Sequence, residues 1–350
     1  MPQQSVQGAS SKRKVSPSLI QSRTNRRYLK WMLKWIKATT VKLFLLSAVL
    51  VGSLLWVGST STKHRLQRGR YIVEGPGHCF ECHSDVDWET PGGQPKPGRK
   101  GAGTEFAKYG MPWLVAPNIT PDVETGAGSW SDEQFARAIR EGIGHDGRRL
   151  VPLMPYPHFR EMSDEDLASV IVYLRSLEPV RNALPKTFVP EEFKGSLPEY
   201  QPITGPVSKP DMSNPIARGK YLVALASCST CHTPTKLGQP MEHLAFGGGA
   251  SFKGPWGDVN TPNITPDPSG ISYYDEALFI QTMRTGHVGA RSLSSIMPWG
   301  YFRNMTDDDL KAIFAYLRTL PPVRHRVDNT EVPTPCPVCN RRHGLGEMNR

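Results

Sequence analysis

Apolar residues recur at helical intervals from Leu167 through Leu174 and again from Leu310 through Leu317, the mark of amphipathic helices. Each run follows an acid-rich start, Ser163-Asp164-Glu165-Asp166 or Thr306-Asp307-Asp308-Asp309. Ser163 and Thr306 read as N-caps, and the acids complement the positive end of the helix dipole. Met162 and Met305 precede the caps, with Leu167 and Leu310 at the fourth helical position, which is hydrophobic-staple spacing. Pro179 and Pro321 mark where both helices stop. Short helices are expected around Tyr71-Ile72-Val73 and Tyr221-Leu222-Val223.

A different pattern occupies Leu43 to Gly58, a continuous apolar run of sixteen residues with Trp56 near its far end. At 1.5 Å per residue it spans about 24 Å, short of a hydrocarbon core of about 30 Å. Extension back through Ile36, with Lys37 and Lys42 snorkelling, supplies the difference, and Trp31, Trp35 and Trp56 suit the interfaces. The net charge of +10 lies entirely ahead of this run: residues 1–42 hold ten Lys or Arg and no acid, and the rest balances 32 basic against 32 acidic side chains. That placement fits a positive-inside topology and argues against a nucleic-acid-binding arm. The expectation is a basic cytoplasmic tail over 1–42, a membrane anchor over 43–58 and an exported remainder, a single-pass protein of the bacterial inner membrane facing the periplasm. A cleaved signal peptide is the alternative, but Gly58-Ser59-Thr60-Ser61-Thr62 lacks a clear A-x-A site, which favours an uncleaved anchor.

From residue 68 onward the chain repeats itself. Arg68-Gly69-Arg70-Tyr71 returns as Arg218-Gly219-Lys220-Tyr221, and Cys79-Phe80-Glu81-Cys82-His83 as Cys228-Ser229-Thr230-Cys231-His232. Pro117-Asn118-Ile119-Thr120-Pro121-Asp122 returns as Pro262-Asn263-Ile264-Thr265-Pro266-Asp267, and Met154-Pro155 as Met297-Pro298. The order is kept at offsets of 143 to 150 residues. Two domains are therefore expected, over 65–181 and 216–325. The linker over 182–215 carries seven prolines, which favours an extended spacer. A tail over 326–350 follows. Gly and Pro, 32 each in 350 residues, fall short of low-complexity content, and 38% hydrophobic residues suit small cores under long loops.

Cys-x-x-Cys-His is the attachment signature of c-type haem, in which each thiol adds to a vinyl group and the histidine is placed to ligate iron. It occurs twice, as Cys79, Cys82, His83 and as Cys228, Cys231, His232. A zinc knuckle would want four clustered ligands, and each site offers three. A methionine sixth ligand suits an electron carrier, because Met/His ligation raises the potential. Met154 and Met297 are duplicated, lie 71 and 65 residues beyond His83 and His232, and precede prolines that hold them out of helices. Met162 and Met305 are explained by the staples. Met111, Met241 and Met283 have no duplicated methionine, and His78, His145, His158 and His287 no convincing counterparts, so packing or surface roles suit them better.

These motifs resemble diheme cytochromes c built of two tandem class I domains, similar to the cytochrome subunits of periplasmic dehydrogenases for alcohols, gluconate or aldehydes. The resemblance also rests on Arg140-Glu141-Gly142, Arg284-Thr285-Gly286, Tyr173-Leu174-Arg175 and Tyr316-Leu317-Arg318. It implies a mostly α fold, two tandem class I cytochrome c-like domains with long loops, joined here to one N-terminal transmembrane helix. It implies two covalent haems c with axial pairs His83–Met154 and His232–Met297. Gly69 with Tyr173 and Gly219 with Tyr316 are expected where the first and last helices of each domain cross. Asn118 and Asn263 either reach propionates or backbone in the pocket wall, or serve as Asx-type turn residues.

The expected function is a membrane-tethered diheme carrier between a respiratory donor, such as a dehydrogenase, and a downstream acceptor. Its partners are the membrane and a periplasmic dehydrogenase, an oxidase or another cytochrome, with no nucleic acid and no catalytic residue. A diheme peroxidase with one open iron is the enzymatic alternative, and the duplicated Met-Pro argues against it. A haem-based sensor would need an output element, for which neither tail is long enough. Cys336-Pro337-Val338-Cys339 is followed by Asn340 and not His, so it is no third haem site. It reads as a local disulfide or, with His343, as three potential metal ligands.

Overall fold

The predicted caps are present in the computed structural model, which describes residues 29–37, 40–42, 61–195, 197–199, 202–236, 238–289, 291–327, 334–336, 338–340 and 342–343. Contacts divide the chain into two units, Met1–Ser61 and Thr62–Arg350. In the first, 29–37 and 40–42 are helical.

No helix among the described residues is long and apolar enough to cross a membrane. This overturns the expected transmembrane helix and, with it, the single-pass inner-membrane placement. Residues 29–37 are interrupted by Lys30, Lys34 and Lys37, and even a twelve-residue helix such as Asp164–Arg175 extends only about 18 Å. The run Leu43–Gly58 itself lies outside the described residues.

The second unit is built twice from the same parts. Its first half contains helices α1 (62–73), α2 (Cys79–Cys82), α3 (Asp132–Arg140), α4 (Tyr156–Phe159) and α5 (Asp164–Arg175). A short helix α6 (Glu191–Lys194) lies in the proline-rich connection. The second half contains α7 (Pro215–Leu225), α8 (Cys228–His232), α9 (Glu276–Thr285), α10 (Trp299–Phe302) and α11 (Asp307–Leu317). Strands occur only as two-stranded antiparallel pairs among the described residues, the longest Ser251–Gly254 with Gly257–Asn260 in the register Ser251↔Asn260.

Local chemistry accounts for the helix starts. Ser163 and Thr306 accept hydrogen bonds from the Asp166 and Asp309 amides, each at 3.2 Å. Ser131 and Gln134 form a reciprocal capping box on α3. Asn214 caps α7 ahead of Pro215 at the first helical position, where a missing N–H costs nothing. The helices expected to open each half are present and extend well beyond Tyr71–Val73 and Tyr221–Val223. Met162 and Met305, with Leu167 and Leu310, are buried as the staples require.

The first and last helices of each half cross at a glycine. A Cβ on Gly69 would fall 2.6 Å from the Ser169 carbonyl carbon and 2.7 Å from Tyr173 Cβ; on Gly219 it would fall 2.6 Å from the Ala312 carbonyl carbon and 2.8 Å from Tyr316 Cβ. Only a residue without a side chain allows such an approach. One core gathers Ile72, Phe80, Phe135, Phe159, Leu167 and Leu174. The other gathers Leu222, Phe279, Phe302, Leu310, Ile313 and Leu317.

The halves interlock rather than hang on a linker. Tyr221, Leu225 and Tyr301 of the second half join the first core, and Tyr71 of the first half packs against both. Arg68 holds the buried Asp166 at 2.9 and 2.6 Å, and Tyr221 crosses over to donate to the same carboxylate at 2.9 Å. The second half mirrors this: Arg218 holds Asp309 at 2.5 Å and Tyr71 crosses back to donate to it. Lys209 from the linker also reaches Asp166, at 2.9 Å. Burial pushes the Asp166 carboxyl up, but Arg68, Lys209 and Tyr221 outweigh it and hold it below the usual carboxylate range. Burial beside Asp309 and Asp166 pushes the Tyr71 and Tyr221 phenols up to about 12.

Candidate haem-attachment sites

In each half the first helix feeds directly into the cysteine motif through a residue with left-handed backbone. His78 has φ 32° ahead of α2, and Ser227 has φ 52° ahead of α8. The motif then makes one helical turn, so the two thiols and the following histidine leave the same short segment. Cys79 and Cys228 pack against the first and second cores, as do Met154 and Met297 respectively. The first cysteine and the expected methionine of each site thus share one apolar cluster.

Both motif histidines are oriented alike. Nδ1 of His83 lies 2.8 Å from the Pro117 carbonyl oxygen, and Nδ1 of His232 lies 2.8 Å from that of Pro262. A carbonyl can only accept, so Nδ1 carries the proton and donates, which leaves the Nε2 lone pair for a metal. Burial pushes both imidazoles below their ordinary values, favouring this neutral form. Burial also pushes the Cys79, Cys228 and Cys231 thiols up to about 12, and raises Cys82 too.

The proline carbonyls were not singled out in the sequence, although their loops repeat. Asn118 and Asn263 anchor those loops. The side-chain oxygen of Asn118 accepts from the Thr120 amide at 3.0 Å, and its nitrogen donates to the Val180 carbonyl at 2.7 Å. Asn263 does the same with Thr265, at 2.9 Å, and Val323, at 2.7 Å. Both roles expected for these asparagines are present: each makes the Asx turn and also reaches the backbone of the chain leaving the last helix.

The arginines of the Arg-x-Gly stretches tie α3 and α9 to the start of the last helices. Arg140 donates to the Met162 carbonyl at 3.0 Å and Asp164 at 2.7 Å, and Arg284 reaches the Arg303 carbonyl and Asp307. The glycines that follow leave room for an aromatic ring. A Cβ on Gly142 would fall 2.6 Å from the Tyr156 ring, and one on Gly286 would collide with the Trp299 ring. Both rings lie on the short helices after Met154-Pro155 and Met297-Pro298.

The second site opens into a cavity of about 1240 Å³, above the range of about 300–1,000 Å³ for drug-sized ligands. Cys228, Cys231, His232 and Met297 line it together with apolar Ile264, Phe279, Ile313 and Leu317. Arg291, Arg324 and Arg326 also border it, as a flat apolar group with carboxylate arms would require. At the first site the fit rests on the second half. Tyr301, which belongs to the first core with Phe80, carries a buried hydroxyl without a hydrogen-bond partner among the described residues. The residues present therefore suit a haem at each motif.

The two motifs face each other across the seam. Oγ of Ser229, inside the second motif, lies 3.4 Å from Nε2 of His158 in the first half. The rings of His78 and Phe302 meet edge to face at 5.6 Å. Glu81, within the first motif, is pushed up to about 8 by burial, and its charge is felt by the Cys231 thiol. The remaining histidines considered as ligands have other contacts: His145 stacks on Trp130 at 4.4 Å, and His287 lies on an exposed hairpin near Ser292.

Comparison with known proteins agrees with this arrangement. The family described as Cytochrome c matches residues 66–178 and 216–321. The fructose dehydrogenase cytochrome subunit of Gluconobacter japonicus is 33% identical over 279 residues, covering 75% of this chain and 54% of the relative. The cytochrome c subunit of the quinone alcohol dehydrogenase of Gluconacetobacter polyoxogenes is 29% identical over 295 residues, covering 79% of this chain and 60% of the relative. The chain thus spans little more than half the length of these two relatives. A diheme cytochrome c-type protein of Cereibacter sphaeroides is 27% identical over 282 residues, 77% of this chain and 89% of the relative. The expected kinship with dehydrogenase cytochrome subunits is shown.

Proposed function

Because this chain belongs to the cytochrome c family, we propose that it is an electron carrier holding two covalent haems c, on Cys79 and Cys82 and on Cys228 and Cys231. His83 and Met154 would be the axial ligands of one iron, and His232 and Met297 those of the other. The bound haem iron supplies the one-electron ferric/ferrous couple. The observation that carries the reading is the duplicated orientation of His83 and His232 by a proline carbonyl at 2.8 Å. A disulfide role for the motifs would not call on the imidazole, and a zinc role would cluster each histidine with its two thiols, which among the described residues is seen only at His325, Cys336 and Cys339.

The protein's own work is to hold, bury and align. The Pro117 and Pro262 carbonyls fix each imidazole, so ligation needs no rearrangement of the ring. Met154 and Met297 stand in apolar clusters that keep water from a sixth position. The Tyr71–Asp309 and Tyr221–Asp166 links brace the seam at which the motifs face each other. That juxtaposition suits a relay, with one half taking up an electron and the other passing it on. Given its relatives, the donor we favour is a dehydrogenase.

The test is an optical redox titration of the haem-loaded protein, followed by addition of hydrogen peroxide and carbon monoxide. Two low-spin haems indifferent to both reagents are expected. Met154→His and Met297→His should each lower the potential of one haem while leaving both covalently attached, since methionine ligation raises it. One high-spin haem reacting with peroxide, or potentials unmoved in both variants, would overturn the proposal.

A further inference from the structure

Beyond the haem sites, we propose that His325, Cys336 and Cys339 form a zinc site that clamps the C-terminal segment onto the second half. The His325 imidazole and both thiols are buried, and their ligand atoms all lie within 4.8 Å of one another. Nε2 of His325 stands 3.4 Å from Cys336 Sγ. A tetrahedral ion with bonds of about 2.3 Å to sulfur and about 2.0 Å to nitrogen sets its nitrogen–sulfur edge at about 3.5 Å.

The local backbone is shaped for the task. Thr334–Pro335 pairs with Arg342–His343, so a hairpin brackets the two cysteines. The Asn340 amide donates to the Cys336 carbonyl at 2.9 Å, and Asn340 takes a left-handed φ of 58°. This turn brings both thiols to one side. Apolar Leu244, Met241, Val323 and Val338 surround them. Gly249 passes so near that a Cβ there would fall 2.6 Å from His325 Cε1.

Comparison of the two halves shows why a histidine is needed. In the first half the corresponding position is Asn182, whose side chain donates to the Ala102 carbonyl at 2.8 Å. His325 makes the matching bond, Nδ1 to the Gly247 carbonyl at 3.0 Å. An asparagine would serve that bond equally well. The imidazole adds a second nitrogen, and it is this one that faces Cys336. The carbonyl bond fixes the tautomer with the lone pair on Nε2, as in oriented metal-binding histidines.

Charge selects the ion. Each thiol releases a proton on binding, so two thiolates with one Zn²⁺ make a neutral site, whereas a monovalent ion would leave a buried negative charge. The described residues supply three ligands, one short of a closed tetrahedral site. The side chain of His343, considered from sequence as the third ligand, lies outside the described residues; His325 arrives from the segment after α11.

The experiment measures zinc in the haem-loaded full chain by elemental mass spectrometry after exposure to equimolar Zn²⁺ under reducing conditions and desalting. One zinc per chain is expected, and a mercurial thiol reagent should release it to a chromogenic chelator. His325→Asn copies the first half and keeps a donor for Gly247. It should weaken zinc binding by at least about tenfold, the lower end of what losing even an orienting neighbour costs, with the visible haem spectrum unchanged. Cys336→Ser should do the same. No zinc in the wild-type chain, unchanged affinity in His325→Asn, or a Cys336–Cys339 disulfide that persists under those conditions would overturn the proposal.

Discussion

Replacing Gly69 by alanine tests whether the crossing of α1 and α5 is as tight as the structure has it. In an open helix position the change would stabilise by about 0.5–1 kcal/mol, because alanine loses less backbone entropy. Here the new Cβ would stand 2.6 Å from the Ser169 carbonyl carbon and 2.7 Å from Tyr173 Cβ. Carbon atoms prefer about 3.5–4.0 Å, so it arrives about 0.9 Å too close to two atoms that belong to, or adjoin, a helix backbone. Neither can rotate away, and α5 must shift as a body. Overpacking of this kind costs about 1–3 kcal/mol, and the rigid partners place it at the upper end. A net loss of about 2 kcal/mol is expected, lowering the melting temperature by about 4–8 °C at about 2–4 °C per kcal/mol. The assay is thermal unfolding of the haem-loaded chain by far-ultraviolet circular dichroism, with Gly205→Ala as control, since a Cβ there meets nothing within 4 Å. If Gly69→Ala melts with the control or above it, the close crossing is wrong.

Other outcomes follow from the same structure. Asp166→Asn should cost about 2–3 kcal/mol at neutral pH, because it strips the charge from the Arg68 and Lys209 pairs. The Asp166 carboxyl is held below its unfolded value, so its contribution is complete above the unfolded pKa and is lost as pH falls through the folded one. Denaturant unfolding of wild type and variant should therefore converge as pH drops below about 4, and a gap constant from pH 7 to 3 would contradict this. Tyr221→Phe should lose about 1–2 kcal/mol by removing the bond to Asp166 and the acceptor for the Ser163 amide, measurable by the same unfolding experiment. Cys82→Ser should weaken haem attachment at the first motif only, and an intact-protein mass with two full haems would contradict the assignment.

Much of the proposed site was legible because the Cys-x-x-Cys-His signature is a short local pattern. The two motifs, the Met-Pro pairs and the caps Ser163 and Thr306 are all written within a few residues. The duplication added a control, since features repeated in the same order at offsets of 143 to 150 residues are hard to ascribe to chance. Gly69 and Gly219 were recognisable through family resemblance, and the structure gives the physical cause. The anchor expectation went the other way: it followed from a hydrophobic run and its flanking charge, and no described helix supports it.

What the chain determined by itself was local: where helices begin, which cysteines and histidines belong together, and that the pattern occurs twice. Contacts between distant residues were decided only in three dimensions. Asp166 and Asp309 read as dipole partners at helix starts, yet each is buried, bound by an arginine about 90 to 100 residues away and by a tyrosine of the opposite half. His325 has no motif around it, and it meets Cys336 and Cys339 only because the segment after α11 folds back under the hairpin. A side chain's sequence neighbours set its backbone conformation, but its partners are set by which surfaces exclude water together. That second choice depends on the whole fold.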